Sequence, residues 1–369
     1  MRILIFTLLI ALGITSCTNS DTGDKPVSLD EQIGQMLLVG FRGLAVDSSE
    51  HIKRDIEKYK IGGIILYEYD VPSKARPRNI ASSDQVKSLV TDLQKLSSNR
   101  LFVAIDEEGG RISRFKFDYG FPATRSAQYL GALNQEDSTR HWASVIAKQL
   151  KSHGVNLNFA PVVDLNTNPE SPAIGKLERS YSKNPDTVAT HAAYVIDEHR
   201  KQKVLTCIKH FPGHGSALAD SHKGFTDVTD TWIEAELKPY ELLVKSKGCD
   251  MVMTAHVFNK KLDDVPATLS SKIMNDILRE RYGWKGVIIS DDMQMGAIAQ
   301  HYGLEAALEK SINAGVDVLI FSNNIPGEYD PKIVPKAVKT IKELVYSGKI
   351  KDERIREAYD RITALKQGL

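Results

Sequence analysis

The chain has 369 residues, 42% of them hydrophobic, enough to bury the core of one large barrel or two modest domains; a disordered or fibrous protein is excluded. Lys and Arg number 48 against 47 Asp and Glu, so the formal charge is +1, and without a run of like charge there is no electrostatic footprint for nucleic acid or for an anionic membrane surface. The three cysteines, Cys17, Cys207 and Cys249, are too few and too scattered for a disulfide framework or a zinc knuckle, and Cys207 and Cys249 read as small buried hydrophobes.

Residues 1–16, MRILIFTLLIALGITS, place one basic residue before an apolar stretch and then small residues, the pattern of a secretory signal too short to span a bilayer in the mature protein. The run Ile14-Thr15-Ser16-Cys17 resembles a bacterial lipobox, which implies cleavage before Cys17 and lipidation of its thiol. Residues 17–27 then serve as lipidated cysteine and polar tether, and residues 28–369 as the folded domain. The expected location is the bacterial cell envelope, on its periplasmic or surface face, outside the cytoplasm and held to the membrane by the lipid.

From residue 28 onward, short apolar runs rich in β-branched residues recur: 35–41, 62–67, 101–106, 155–165, 204–210, 250–256, 286–291 and 317–323. Between them lie stretches with apolar residues at three- and four-residue steps, among them 83–96, 138–153, 184–202 and 234–247. Alternation of this kind implies a parallel sheet with crossover helices, and eight strands predict a closed (β/α)8 TIM-type barrel in a single domain. No long Pro/Gly/Ser linker divides the region.

In such a barrel the chemistry gathers at the C-terminal ends of the strands. The third run ends in Asp106, the fourth leads into Asp164, the fifth ends in Lys209-His210, the sixth in His256 and the seventh in Asp291-Asp292. Charged groups at these positions suit a polar pocket better than a sealed core. The segment 209–230, KHFPGHGSALADSHKGFTDVTD, adds a glycine-rich loop in which Asp220 and His222 stand two apart. There a carboxylate can hold one imidazole nitrogen and leave the other free for proton transfer. His214 and His256 are read as supports that shape the pocket floor.

The segments DEEGGRISR (106–114), ERSYSKNPDTV (178–188), KHFPGHG (209–215), DSH (220–222) and SDDMQMGAI (290–298) resemble, in order and spacing, the single-domain β-N-acetylglucosaminidases of glycoside hydrolase family 3. The likeness covers residues 30 to 350, nearly all of the mature chain. It implies a retaining double displacement on terminal β-linked N-acetylglucosamine. Asp291 matches the nucleophile, and His222 matches the acid/base, with Asp220 orienting and charging it. Asp106, Arg114, Arg179, Lys209 and His210 match the positions that hold the sugar hydroxyls, and their donors and acceptors suit a polyhydroxylated ring. Asp292 is read as a structural carboxylate bonded at a helix N-terminus. Gly109 and Gly110 are expected to let the loop turn tightly between Asp106 and Arg114. The glycine pattern is too thin for a nucleotide site, so no cofactor is expected.

Two departures from the family pattern stand out. Glu107 occupies a position where glutamine is common, on what is expected to be the pocket rim after the third strand. Lys223-Gly224-Phe225-Thr226 follows the Asp-Ser-His where a leucine-proline pair is usual. A chain of this length is expected to lack the extra domain that brings a carboxylic acid to the site in many family β-glucosidases, which leaves the histidine dyad as the acid. Two rival readings rest on the same residues. A metal-dependent barrel hydrolase could use His210, His214, His222 and Asp291-Asp292, but the first strand carries no His-x-His, and no metal is expected. A non-catalytic glycan-binding lipoprotein is disfavoured by the intact Asp220, His222 and Asp291. The natural glycan, whether muropeptide or chitin or host-type oligosaccharide, is left open.

Overall fold

The structure is a computed structural model that describes residues 27–219, 224–327 and 329–369. The signal segment, Cys17, Asp220 and His222 lie outside the described residues. Eight parallel strands form a closed barrel: β1 (Leu37–Gly40), β2 (Gly63–Ile65), β3 (Phe102–Ile105), β4 (Leu157–Asn158), β5 (Leu205–Phe211), β6 (Met251–Thr254), β7 (Val287–Asp292) and β8 (Val318–Phe321). Each pairs with its sequence neighbour, and β1 closes the ring on β8 through Leu37 opposite Leu319 and Val39 opposite Phe321. All eight expected runs therefore become barrel strands, in the expected order.

Burial explains why the strands read as continuous apolar runs rather than alternating ones: helices cover one face and the barrel interior fills the other. Leu37, Leu38, Val103, Ile208, Val252, Ile288 and Leu319 all belong to one core. The crossover helices follow the sequence periodicity, as at Ser83–Leu96, Glu136–Ser152 and Pro185–Lys201. The last begins on Asn184, whose side chain accepts from the Asp186 and Thr187 amides, with Pro185 in the first turn where its missing N–H costs nothing.

The structure corrects several boundaries. The run 155–165 yields only the two residues of β4, since Pro161 has no amide to continue a ladder; Val162 rejoins as a lone bridge to Lys209. The stretch 234–247 divides into a 3-10 turn, Glu234–Leu237, and a helix, Lys238–Lys245, with Pro239 in its first turn. β6 stops at Thr254, so His256 lies beyond the strand. Thr226–Asp227 and Val257–Phe258 form a small parallel pair outside the barrel that the sequence pattern did not announce. Among the described residues no helix is long and apolar enough to cross a membrane.

Candidate active site

The C-terminal ends of β2, β3, β5 and β7, with the loop after β4, deliver charged side chains into one pocket of about 430 Å³. Asp106, Arg114, Arg179, Lys209, His210 and Asp291, all marked out by the sequence, line it together, as do Glu68, Glu108 and Asp292. Five of these groups form a connected network of charges. Lys209, 2% exposed, places Nζ 2.8 Å from Asp106 Oδ1 and 2.7 Å from Glu108 Oε1. Arg179 donates from Nε and Nη2 to both oxygens of Glu108, at 2.8 and 2.7 Å, the bidentate geometry that a planar guanidinium favours. Arg114 reaches Asp106 more loosely, at 3.5 Å.

This network fixes the protonation of its members. Burial alone would raise the Asp106 and Glu108 carboxyls, but the neighbouring cations outweigh it and hold both below the usual range: Lys209 then Arg114 for Asp106, Arg179 then Lys209 for Glu108. In the same way burial would lower Lys209, and Asp106 and Glu108 instead hold its ammonium above its ordinary value. The pocket therefore presents a preorganised set of charges that hold one another in place.

His210 is fixed by a fully buried partner. Asp164 Oδ2 lies 2.7 Å from its Nδ1, and Asp164 also accepts the amides of His210 and His214. Arg179 Nη2 sits 3.3 Å from Nε2, so that nitrogen is the acceptor and Nδ1 carries the proton. Both ring nitrogens are thus engaged, and the described residues bring together no group of three or more His, Cys, Asp and Glu side chains arranged to hold a metal ion. His256 is buried and does not line the pocket; it hydrogen-bonds Thr268 Oγ1 at 2.8 Å and the Asp292 carbonyl at 2.9 Å, and so supports the end of β7.

The two adjacent aspartates at the end of β7 have separate environments. Asp291 is partly exposed and lines the pocket, with Oδ1 accepting the Asp292 amide at 2.8 Å. Asp292 is 8% exposed and accepts the Gln294 and Ser322 amides, each at 3.1 Å, and the Ser322 hydroxyl. Its carboxyl thus ties β7 to the end of β8 and to the turn before the helix Gly296–Ala314, rather than capping that helix directly. Burial pushes it up to about 6, opposed by the Ser322 and Gln294 donors and aided by the charge of Asp291.

Glu107 is not where the sequence placed it. Instead of lining the pocket rim it is buried, its Oε2 accepting the Arg114 and Phe115 amides at 2.7 and 3.0 Å, so it shapes the loop after β3 from within. Gly109 and Gly110 make the expected tight turn, at φ of +94° and +60°, and a Cβ on Gly109 would stand 2.4 Å from the Arg125 carbonyl oxygen. Two pocket carboxylates were missed. Glu108 lies inside the DEEGGR segment, two residues past Asp106, and an odd acidic residue before paired glycines was the available signal. Glu68 had none, because it stands in a loop without a motif.

Comparison with known proteins agrees with this geometry. The Glycosyl hydrolase family 3 N terminal domain matches residues 28–365. Beta-hexosaminidase A of Pseudoalteromonas piscicida is 30% identical over 395 residues, covering 97% of this chain and 64% of that protein, so the chain spans less than two thirds of that relative. A beta-hexosaminidase of Tolumonas auensis is 32% identical over 295 residues, 79% of this chain and 84% of the relative. Among solved structures, a family 3 beta-N-acetylglucosaminidase from Paenibacillus sp. str. FPU-7 superposes with a TM-score of 0.83 at 31% identity, covering 93% of this chain and 62% of that one. A beta-N-acetylhexosaminidase from Beutenbergia cavernae gives 0.82 at 25% identity and covers 92% and 99%. With its closed barrel and a family match over almost the whole folded region, the chain belongs to glycoside hydrolase family 3.

Proposed function

We propose that this chain is a glycoside hydrolase of the β-N-acetylhexosaminidase type, acting as a retaining exo-β-N-acetylglucosaminidase on terminal β-linked N-acetylglucosamine. The observation that carries the reading is the joint lining of one pocket by Asp291 and by Asp106, Arg114, Arg179, Lys209 and His210. A carboxylate beside a cage of donors and acceptors is what a covalent glycosyl transfer needs. The family membership and the relatives named as hexosaminidases support the class and the sugar.

In this mechanism Asp291 attacks the anomeric carbon while His222, charged and oriented by Asp220, donates a proton to the departing oxygen. Neutral His222 then takes a proton from water, whose oxygen attacks the anomeric carbon and frees Asp291 with overall retention. Lys209, Arg179 and their carboxylate partners hold the ring hydroxyls. In the envelope, tethered through lipid on Cys17, the enzyme would trim muropeptides or release N-acetylglucosamine from chitin-type or host glycans.

The test uses the soluble form lacking residues 1–17 with aryl β-N-acetylglucosaminide and aryl β-glucoside. Turnover of the N-acetylated substrate, abolished in Asp291→Ala, lowered in His222→Ala and indifferent to EDTA, is the expected result. A mass increase of one sugar on the Asp291 peptide, trapped with a slow fluorosugar, would identify the covalent intermediate. Failure to turn over either substrate would sink the reading in favour of glycan binding without catalysis. Separately, Cys17→Ala should move the protein from the membrane fraction to the soluble one; unchanged membrane retention would remove the lipid anchor from the account.

A further inference from the structure

The loop after β2 brings to the pocket a carboxylate that the mechanism above does not use. Glu68 is 4% exposed and lines the cavity, yet its Oε2 makes no hydrogen bond. Its nearest cations stand beyond hydrogen-bond reach, Arg114 Nη1 at 3.7 Å and Arg76 Nη2 at 3.9 Å. Arg114 mirrors the deficiency, since its Nε is buried without a partner. A buried acceptor and a buried donor left unsatisfied on adjacent side chains are costly unless an occupant completes them. A sugar ring carries both kinds of partner, since each hydroxyl can donate to a carboxylate and accept from a guanidinium.

Glu68 is also held in place. Its carbonyl accepts the Arg78 amide at 3.1 Å, and the neighbouring Tyr67 amide donates to Asn79 Oδ1 at 3.1 Å. Two residues on, Asp70 is gripped by Arg42, Arg78 and Ser73 and is bridged to Ala75 across the loop. The carboxylate is therefore presented by a braced loop, not a mobile one, which is the condition for discriminating between hydroxyl positions.

We propose that Glu68 is a substrate-binding, specificity-determining residue: it accepts a hydrogen bond from a ring hydroxyl other than the one held by Asp106, on the far side of the Arg114 guanidinium. The inference rests on the glycosidase reading of the pocket. Arg114, with a carboxylate near each terminal nitrogen, would then separate two hydroxyls of the same sugar and read both.

The test is a kinetic cycle of wild type, Glu68→Ala and Glu68→Gln against aryl β-N-acetylglucosaminide and its 3-deoxy, 4-deoxy and 6-deoxy analogues. One analogue should lose about ten- to a hundred-fold in kcat/KM with wild type, and that penalty should vanish in Glu68→Ala. Glu68→Gln keeps the shape and one acceptor without the charge, so it carries the test should the alanine variant fold poorly; there the same penalty should shrink by at least about threefold. Penalties unchanged in both variants for every analogue would overturn this role while leaving the glycosidase reading intact. No turnover of the parent substrate by wild type would overturn that reading, and this inference with it.

Discussion

Lys209 shows how much one side chain carries in this pocket. It is nearly inaccessible and neutralises two buried carboxylates, so its loss would leave Asp106 and Glu108 in low dielectric with, among the described residues, Arg114 paired to the first and Arg179 to the second. Breaking a buried pair in this way costs about 3–5 kcal/mol, and Lys209→Met should destabilise by that order while lowering kcat/KM about a hundredfold. The pH dependence follows from the sign of the shift. Glu108 is held below its unfolded value, so the stability it contributes is present above the ordinary carboxylate range and lost as pH falls through the folded value. Removing Lys209 raises that folded value, so acid unfolding should begin at higher pH in the variant, read as melting temperature from about pH 3 to 7. Glu107 has the opposite sign. Burial pushes it up to about 7, above its ordinary 4.5, so the stability linked to its proton is lost as pH rises between those values. Glu107→Gln cannot titrate and keeps an acceptor for the Arg114 and Phe115 amides. Its stability relative to wild type should therefore climb by on the order of 2 kcal/mol from about pH 5 to 8; a flat difference would show that Glu107 is not protonated in the folded protein.

The loop after β3 is the element on which the site turns, because it places Asp106, Glu108 and Arg114 around a reversal at Gly109 and Gly110. Both glycines have positive φ, and Gly109 faces the Arg125 carbonyl too closely for any side chain. Gly109→Ala combines a left-handed strain of about 1 kcal/mol with a clash that only backbone movement relieves. The expected outcome is a modestly lower melting temperature with a disproportionate fall in kcat/KM, since Glu108 is the adjacent residue; a stability loss with unaltered kinetics would detach the turn from the site. This loop was legible in the sequence because its chemistry and its glycines are contiguous. The barrel strands were legible for a related reason: each is apolar on both faces and is separated from the next by a helical period. β4 was overread because apolarity continues past Pro161 although hydrogen bonding does not. The pair Thr226–Asp227 and Val257–Phe258 escaped because two-residue strands leave no periodicity. Glu68 and the inward turn of Glu107 were hidden because burial and aim depend on which loop packs where, which spacing alone does not encode.

Across the whole molecule, the two ends of the barrel divide function from stability. The C-terminal end holds the pocket. At the opposite end Asp317, immediately before β8 and wholly buried, collects Arg279 at 2.8 Å, Arg354 at 2.6 Å and Arg361 at 3.0 Å, and also accepts the Ile288 amide. Arg279 arises from the helix Lys272–Arg281 and the other two from the terminal helix Asp352–Lys366, so one carboxylate ties β7, β8 and both helices together. The same arginines cover carbonyls at strand and helix ends: Arg279 those of Gly286 and Gly315, Arg354 those of Ile312 and Val316. Asp317→Ala removes the hub and leaves three guanidiniums crowded without their shared partner, a loss of about 3–5 kcal/mol by the rule for broken buried pairs. None of these residues lines the pocket. The folded fraction of Asp317→Ala should therefore keep kcat/KM within about twofold of wild type at low temperature and lose activity on warming in step with unfolding. Lowered kcat/KM in fully folded protein would mean that strain at the base of β7 and β8 reaches Asp291, and the separation of the two ends would fail.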